Sequence, residues 1–226
     1  MCSSDLMAAV DSVDITFFGK GGHGAMPHRT IDPIVLAAQF VVEMQTIVSR
    51  EVDPTEPCLI TVGSFHGGTK HNIVPDRVDL QLTMRSYSPA VREQMKQALV
   101  RKAEAAATAA RAPKPKVEFS EPTGALFNDE SLSQRVAASL RAALGADFVV
   151  PAQQQMVAED FGQLGEAGIP ICMLRLGTIA PDRLEALQKE DKVPVLHTAT
   201  YWPDAPESIA TGVASMVASA RALLRR

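Results

Sequence analysis

The sequence predicts an α+β chain, a ferredoxin-like β-α-β-β-α-β unit followed by the C-terminal part of an α/β domain. Three observations carry this. Residues 78–85 alternate strictly, with Val78, Leu80, Leu82 and Met84 on one face and Asp79, Gln81, Thr83 and Arg85 on the other. That is the period of a half-buried strand. Two helix-period segments, 32–49 and 88–110, separate strand-like runs so that residues 13–120 read β-α-β-β-α-β. Beyond Glu121-Pro122-Thr123-Gly124 the chain holds two strong helices but only one strong strand, over 169–176. A lone strand satisfies neither its backbone nor its two faces, so this region is expected to belong to a larger α/β sheet.

The elements follow in order. Val13, Ile15 and Phe17 alternate with Asp14 and Thr16, a first strand. A glycine-rich loop follows, Gly19-Lys20-Gly21-Gly22-His23-Gly24-Ala25-Met26-Pro27-His28. Asp32-Pro33 has the chemistry of a helix start, with Asp at the N-cap and Pro at the first turn. The helix predicted over 32–49 is apolar nearly all round and is expected to be well buried. Residues 58–65 are rich in strand formers, and His66-Gly67-Gly68-Thr69 signals a turn into the alternating strand. Ser88-Pro89 opens a helix to about Ala110, with Val91, Met95, Ala98 and Leu99 at helical spacing. Residues 114–120 supply the last strand, with Val117 and Phe119 inward.

Past the boundary, 129–144 reads as a helix, Glu159-Asp160-Phe161-Gly162 leads a short one with Asp160 as its cap, and 169–176 is apolar enough for a strand covered on both faces. A helix over 207–224 closes the chain, with Ile209, Val213, Met216, Val217, Leu223 and Leu224 on one face. Domain bounds are expected at 1–12, 13–122 and 123–226. The opening Met1-Cys2-Ser3-Ser4-Asp5-Leu6 lacks strand or helix character and matches the translated end of a sequencing adapter. It is expected to be artefactual, with the natural chain extending upstream.

Composition narrows the function classes. A net charge of -4 with mixed signs and 5% aromatic residues argue against nucleic-acid binding. No apolar run reaches the roughly 18 residues of a membrane helix. The three cysteines are scattered, which fits a reducing, cytoplasmic setting rather than a disulfide framework. Gly19, Gly21 and Gly24 fit a dinucleotide fingerprint, but Pro27, His28 and Arg29 intervene before the helix, so no helix N-terminus faces a pyrophosphate.

Four residues are candidates for chemistry. His23, in the glycine loop, can donate a hydrogen bond or titrate near neutrality. His197 lies in a loop before the last helix and is the best candidate for a metal ligand, since neutral imidazole suits zinc, manganese or cobalt. Arg85 can hold a carboxylate in bidentate fashion, and the amide of Asn72 can assist; a solvated strand face with local ion pairs accounts for Arg85 equally well. Glu159 and Asp160 are adjacent and point apart, so they do not form a shared-proton pair.

Several segments together resemble the dimetal aminoacylase and carboxypeptidase-type metallohydrolases, closest to the hippurate hydrolase and N-acyl-amino-acid amidohydrolase branch. They are residues 19–28, Asp32-Pro33-Ile34, Gln45-Thr46-Ile47-Val48-Ser49-Arg50, and His66-Gly67-Gly68-Thr69-Lys70-His71-Asn72-Ile73-Val74-Pro75-Asp76. The resemblance implies that the ferredoxin-like unit is a dimerising lid on an α/β catalytic domain. It implies that His23 enters the partner subunit's site and polarises the scissile carbonyl, that Asn72 and Arg85 hold the substrate carboxylate, and that His197 is the last metal ligand. It further implies two divalent ions, a homodimer and an N-acyl amino acid substrate. Ala158 stands where the family's Ser-Glu-Asp-Phe box has serine, and Glu159-Asp160-Phe161 is assigned only a structural role. The general base and the other metal ligands lie upstream in that family, so this chain is expected to be a C-terminal fragment, inactive alone. The rival reading is a non-catalytic ferredoxin-like module for amino-acid binding or dimerisation.

Overall fold

The computed structural model describes residues 5–224, which divide into two compact units. The first comprises Asp5–Leu126 together with Gln154–Gly168; the second comprises residues 127–153 and 169–224. Of the proposed artefactual start, residues 1–4 lie outside the described residues, and Asp5–Met7 forms a short strand.

The first unit has the expected β-α-β-β-α-β order: β1 (Ala9–Phe18), α1 (Pro33–Glu43), β2 (Cys58–Gly67), β3 (Arg77–Ser86), α2 (Pro89–Ala109) and β4 (Lys116–Thr123). The sheet is antiparallel with spatial order β2-β3-β1-β4, the ferredoxin-like arrangement. The alternation of β3 sorts as read: Val78, Leu80, Leu82 and Met84 are buried. They pack with Val13, Ile15 and Phe17 of β1 against Leu36 and Phe40 of α1 and Met95 and Leu99 of α2. Burying each such side chain contributes about 1.5–3 kcal/mol. Both helix starts are capped as expected. Asp32 accepts from Ile34 N (2.8 Å) and Val35 N (3.4 Å), and Ser88 Oγ accepts from Val91 N (3.4 Å).

Four expectations for this unit are corrected. The first strand begins at Ala9 rather than Val13, because the inward position 11 is an aspartate and the hydrophobic alternation is broken there. Asp11 is 1% exposed and is matched by Arg92 and Lys96 of α2. The helix predicted to Ser49 ends at Glu43 and gives way to a wide π-type turn, Ile47–Glu51. That turn is tied to α2 by Gln94 Nε2 on the Glu51 carbonyl (2.6 Å) and by Glu51 with Arg101 and Lys102. Nor is the helix buried all round: Val35 and Val42 face outward, Val42 being 74% exposed. Finally, Asp160 does not cap the short helix Gly162–Glu166 with its side chain; its carbonyl accepts from Gln163 N (2.9 Å).

In the second unit, α3 (Glu130–Leu144) is capped by Asp129 on Leu132 N (2.7 Å) and packs on α5 (Ala205–Leu224), with α4 (Pro181–Lys189) between them in sequence. Ser139 Oγ donates to the Ala218 carbonyl at 2.9 Å. One expectation fails here. Residues 169–176 form no strand. Their backbone is instead held by isolated bonds to the segment before α3: the Ile171 carbonyl accepts from Asp129 N, and Asn128 bonds Met173 through both amide atoms. No strand lies beside them among the described residues, and a buried-strand sequence without neighbours stays irregular. The apolar face of α5 is likewise uncovered, with Ile209, Val213 and Met216 exposed. No described helix is long and apolar enough to cross a membrane.

Candidate functional site

The glycine loop and the segment before β3 are joined edge to edge. Gly22 pairs with Val74 and His23 with Ile73, and the Asn72 carbonyl accepts from Gly24 N at 2.8 Å. This brings His23 and Asn72, both exposed, onto one edge of the first unit. The backbones approach closely: a Cβ on Gly19 would lie 2.4 Å from the Ile31 carbonyl oxygen, and one on Gly24 3.1 Å from the Asn72 carbonyl oxygen. Close approach, not a left-handed backbone, is thus what favours glycine here, most strongly at Gly19. His23 Nδ1 accepts from Ala25 N at 3.1 Å. A neutral imidazole with an acceptor Nδ1 carries its proton on Nε2, so the ring offers a donor away from the loop.

Arg85 sits elsewhere. It is eight residues along β3 from Arg77, and Asn72 precedes that strand's start; at ~3.3 Å per residue the strand alone separates the two ends by about 26 Å. Asn72 and Arg85 are thus not neighbours within one chain. The Arg85 guanidinium is half-buried and spends one N–H on the Met156 carbonyl, at 2.8 Å. Guanidinium has five donors, so a carboxylate could still be bound beside that anchor. The same stretch is held by Tyr87 Oη, which donates to the Gln155 carbonyl at 2.6 Å, and by Ala8 N, which donates to the Val157 carbonyl at 2.9 Å. Arg85 therefore lies beside the residues that lead into Glu159-Asp160. Neither the docking of residues 155–157 nor the part of Tyr87 carried a signal in sequence, because backbone carbonyls do the accepting.

His197 is exposed, in a loop, with a left-handed backbone (φ 66°). Among the described residues no three His, Cys, Asp or Glu side chains converge. A catalytic metal takes at least three protein ligands, so these residues do not by themselves assemble a metal centre around His197.

Residues 10–111 match the family of peptidase dimerisation domains. The chain is 49% identical over 92 residues to an N-acyl-L-amino acid amidohydrolase of Geobacillus stearothermophilus, covering 41% of this chain and 25% of that protein. It is 32% identical over 201 residues to an N-acetyldiaminopimelate deacetylase of Shouchella clausii, covering 87% of this chain and 53% of that protein. In fold it is similar to the crystal structure of a Bacillus subtilis dinuclear metal binding peptidase of the M20 family, with a TM-score of 0.70 at 23% identity, over 99% of this chain and 52% of that one. The chain spans about half, or less, of the length of the curated relatives it matches.

Proposed function

We propose that this chain, whose residues 10–111 match the peptidase dimerisation domain, supplies the lid and the C-terminal part of a metal-dependent M20-type hydrolase of N-acyl amino acids, hippurate-like in class. The observation that carries this reading is that the pairing of His23 with Ile73, and of Gly24 N with the Asn72 carbonyl, sets His23 and Asn72 on one exposed edge. His23 Nε2–H would donate to the carbonyl oxygen as it gains charge, a role that rewards a fixed donor. Arg85 and Asn72 would hold the free carboxylate. With Asn72 before the start of β3 and Arg85 about 26 Å along it from Arg77, a small substrate cannot reach both in one chain. The reading is therefore a homodimer in which each site takes Arg85 from one protomer and His23 and Asn72 from its partner. His197 would be one ligand of a zinc, manganese or cobalt ion, the other ligands and the general base lying outside this chain. The chain alone would then be inactive. The scattered cysteines, with Cys58 and Cys172 unpaired, support a cytoplasmic setting.

The homodimer would form on β2 and α1. β2 is an edge strand, and Val35 and Val42 lie exposed on the neighbouring helix. A free strand edge beside an apolar helix face suits a second copy of itself.

Trans-complementation tests the reading. The chain, extended upstream from its own gene, is assayed with manganese or zinc against N-acyl amino acids. His23→Ala and Arg85→Ala variants should each be inactive. Mixed and re-equilibrated, they should regain about a quarter of parental turnover, since half of the dimers are mixed and each mixed dimer has one intact site. No recovery on mixing would sink the shared site. Silence from the extended parent would favour the binding or dimerisation module.

A further inference from the structure

We propose that Asp76 is the positioning residue of the His23 loop: its carboxylate clamps Gly21, and through that clamp the imidazole of His23 is held against Ala25. The proposal deepens the reading of His23 as a substrate-facing donor and rests on it for its purpose, though not for its geometry.

A loop of Gly19, Gly21, Gly22 and Gly24 has little conformational preference of its own. It is held on one side by Lys20, which exchanges backbone bonds with Ile31 at 2.9 and 3.0 Å, and on the other by a ladder of bonds to residues 72–76. The Asp76 carbonyl accepts from Gly19 N at 2.7 Å, and Asp76 Oδ1 accepts from Gly21 N at 2.8 Å. The backbone pairs of Gly22 with Val74 and His23 with Ile73 come next, then Gly24 N on the Asn72 carbonyl. Asp76 thus holds the loop at two points, once through its backbone and once through its side chain. The side-chain bond is charge-assisted, and such bonds are about twice as strong as neutral ones.

The packing at Gly21 points the same way. A Cβ there would lie 2.8 Å from Asp76 Oδ1 and 2.9 Å from the Val74 carbonyl oxygen. Any larger residue would push the carboxylate off the amide, so the glycine and the aspartate are fitted to one another. Pro75 stiffens the approach, since its ring fixes φ and confines Val74 to extended backbone. Two residues past the clamped strand, Ala25 N reaches His23 Nδ1 only while the backbone of 23–25 keeps its turn. Asp76 touches neither His23 nor Asn72 in this arrangement; it acts on them through Gly21.

The test needs no turnover. Asp76→Ala, Asp76→Asn and Gly21→Ala are made in the chain as it stands. Amide hydrogen exchange at Ala25 is measured by NMR, with the ring nitrogen resonances of His23 assigned against His23→Gln. Asp76→Ala and Gly21→Ala should speed exchange at Ala25 by about tenfold or more and move the Nδ1 resonance away from that of a hydrogen-bonded acceptor. Asp76→Asn keeps an oxygen that can accept from Gly21, and should stay within about threefold of the parent. Unchanged exchange of β1 and β3 amides shows that the fold survives. An unaltered Ala25 and His23 in Asp76→Ala would overturn the proposal, as would an Asp76→Asn as disruptive as the alanine. If the clamp is lost and the extended enzyme still turns over at the parental rate, the catalytic reading of His23 fails while the assignment of Asp76 stands.

Discussion

Replacing Asp11 by alanine removes the acceptor of three ionic hydrogen bonds at the centre of the first unit. Arg92 Nε lies 2.6 Å from Oδ2, Arg92 Nη2 2.9 Å from Oδ1, and Lys96 Nζ 2.9 Å from Oδ1. The aspartate is 1% exposed, but the side chains of Arg92 and Lys96 keep 21% and 26% of their surface. The hydrogen bond that Arg92 donates to Asp11 raises the Arg92 pKa above its ordinary value, with burial opposing; once Asp11 is gone the guanidinium remains a cation on its own chemistry and is left stranded. Breaking a buried pair from one side costs about 3–5 kcal/mol. Because both cations can turn towards water here, the lower end applies, about 3 kcal/mol. For a unit of this size about 4 °C accompanies each kcal/mol, so the midpoint should fall by about 12 °C. The assay is urea and thermal unfolding followed by circular dichroism, with a double-mutant cycle against Arg92→Ala. A coupling energy of at least about 1 kcal/mol is expected for such a contact pair. A loss of stability under about 1 kcal/mol in Asp11→Ala, or additive single variants, would refute the reasoning.

Three further outcomes are expected. Gly19→Ala drives a methyl to 2.4 Å from the Ile31 carbonyl oxygen and 2.5 Å from Pro33 Cδ; it should destabilise by about 1–3 kcal/mol, read by urea unfolding, and a neutral result would show that the loop relaxes freely. The Arg101 hydrogen bond, with that of Lys102, holds the Glu51 carboxyl below its ordinary value of 4.5, against the opposing effect of burial. Its contribution is therefore complete above about pH 4.5 and is lost as pH falls through the lower folded value. The stability gap between the parent and Glu51→Gln should close on acidification, and a gap independent of pH would contradict the assignment. Tyr87→Phe deletes the 2.6 Å bond to the Gln155 carbonyl; it should cost about 1 kcal/mol and open residues 154–168 to limited proteolysis, whereas an unchanged cleavage pattern would mean that Arg85 and Ala8 suffice to hold the segment.

What was legible in sequence was what local periodicity and capping chemistry determine. The strict alternation of 78–85 and the Asp32-Pro33 and Ser88-Pro89 starts each name a local geometry that tertiary packing did not override. Asp11 was illegible because a buried charge looks like a surface residue until its partners, 81 and 85 residues away, are in place. The outward Val42 was illegible for the opposite reason: apolarity marks what shuns water and does not say whether the cover comes from the same chain. Of the candidate site, the meeting of His23 and Asn72 depends on an edge pairing of two residues a side, too short to leave a periodic trace. The separation of Asn72 from Arg85 follows from strand length, which could have been counted.

The uncovered faces of the second unit bear on the life of this polypeptide in a cell. Ile209, Val213 and Met216 on α5, and Leu174 and Leu176 on the unpaired run, present the sticky surface that chaperones and degradative proteases survey. Within that run, Pro170 and Arg175 interrupt the apolar stretch and act as the gatekeepers that slow its aggregation.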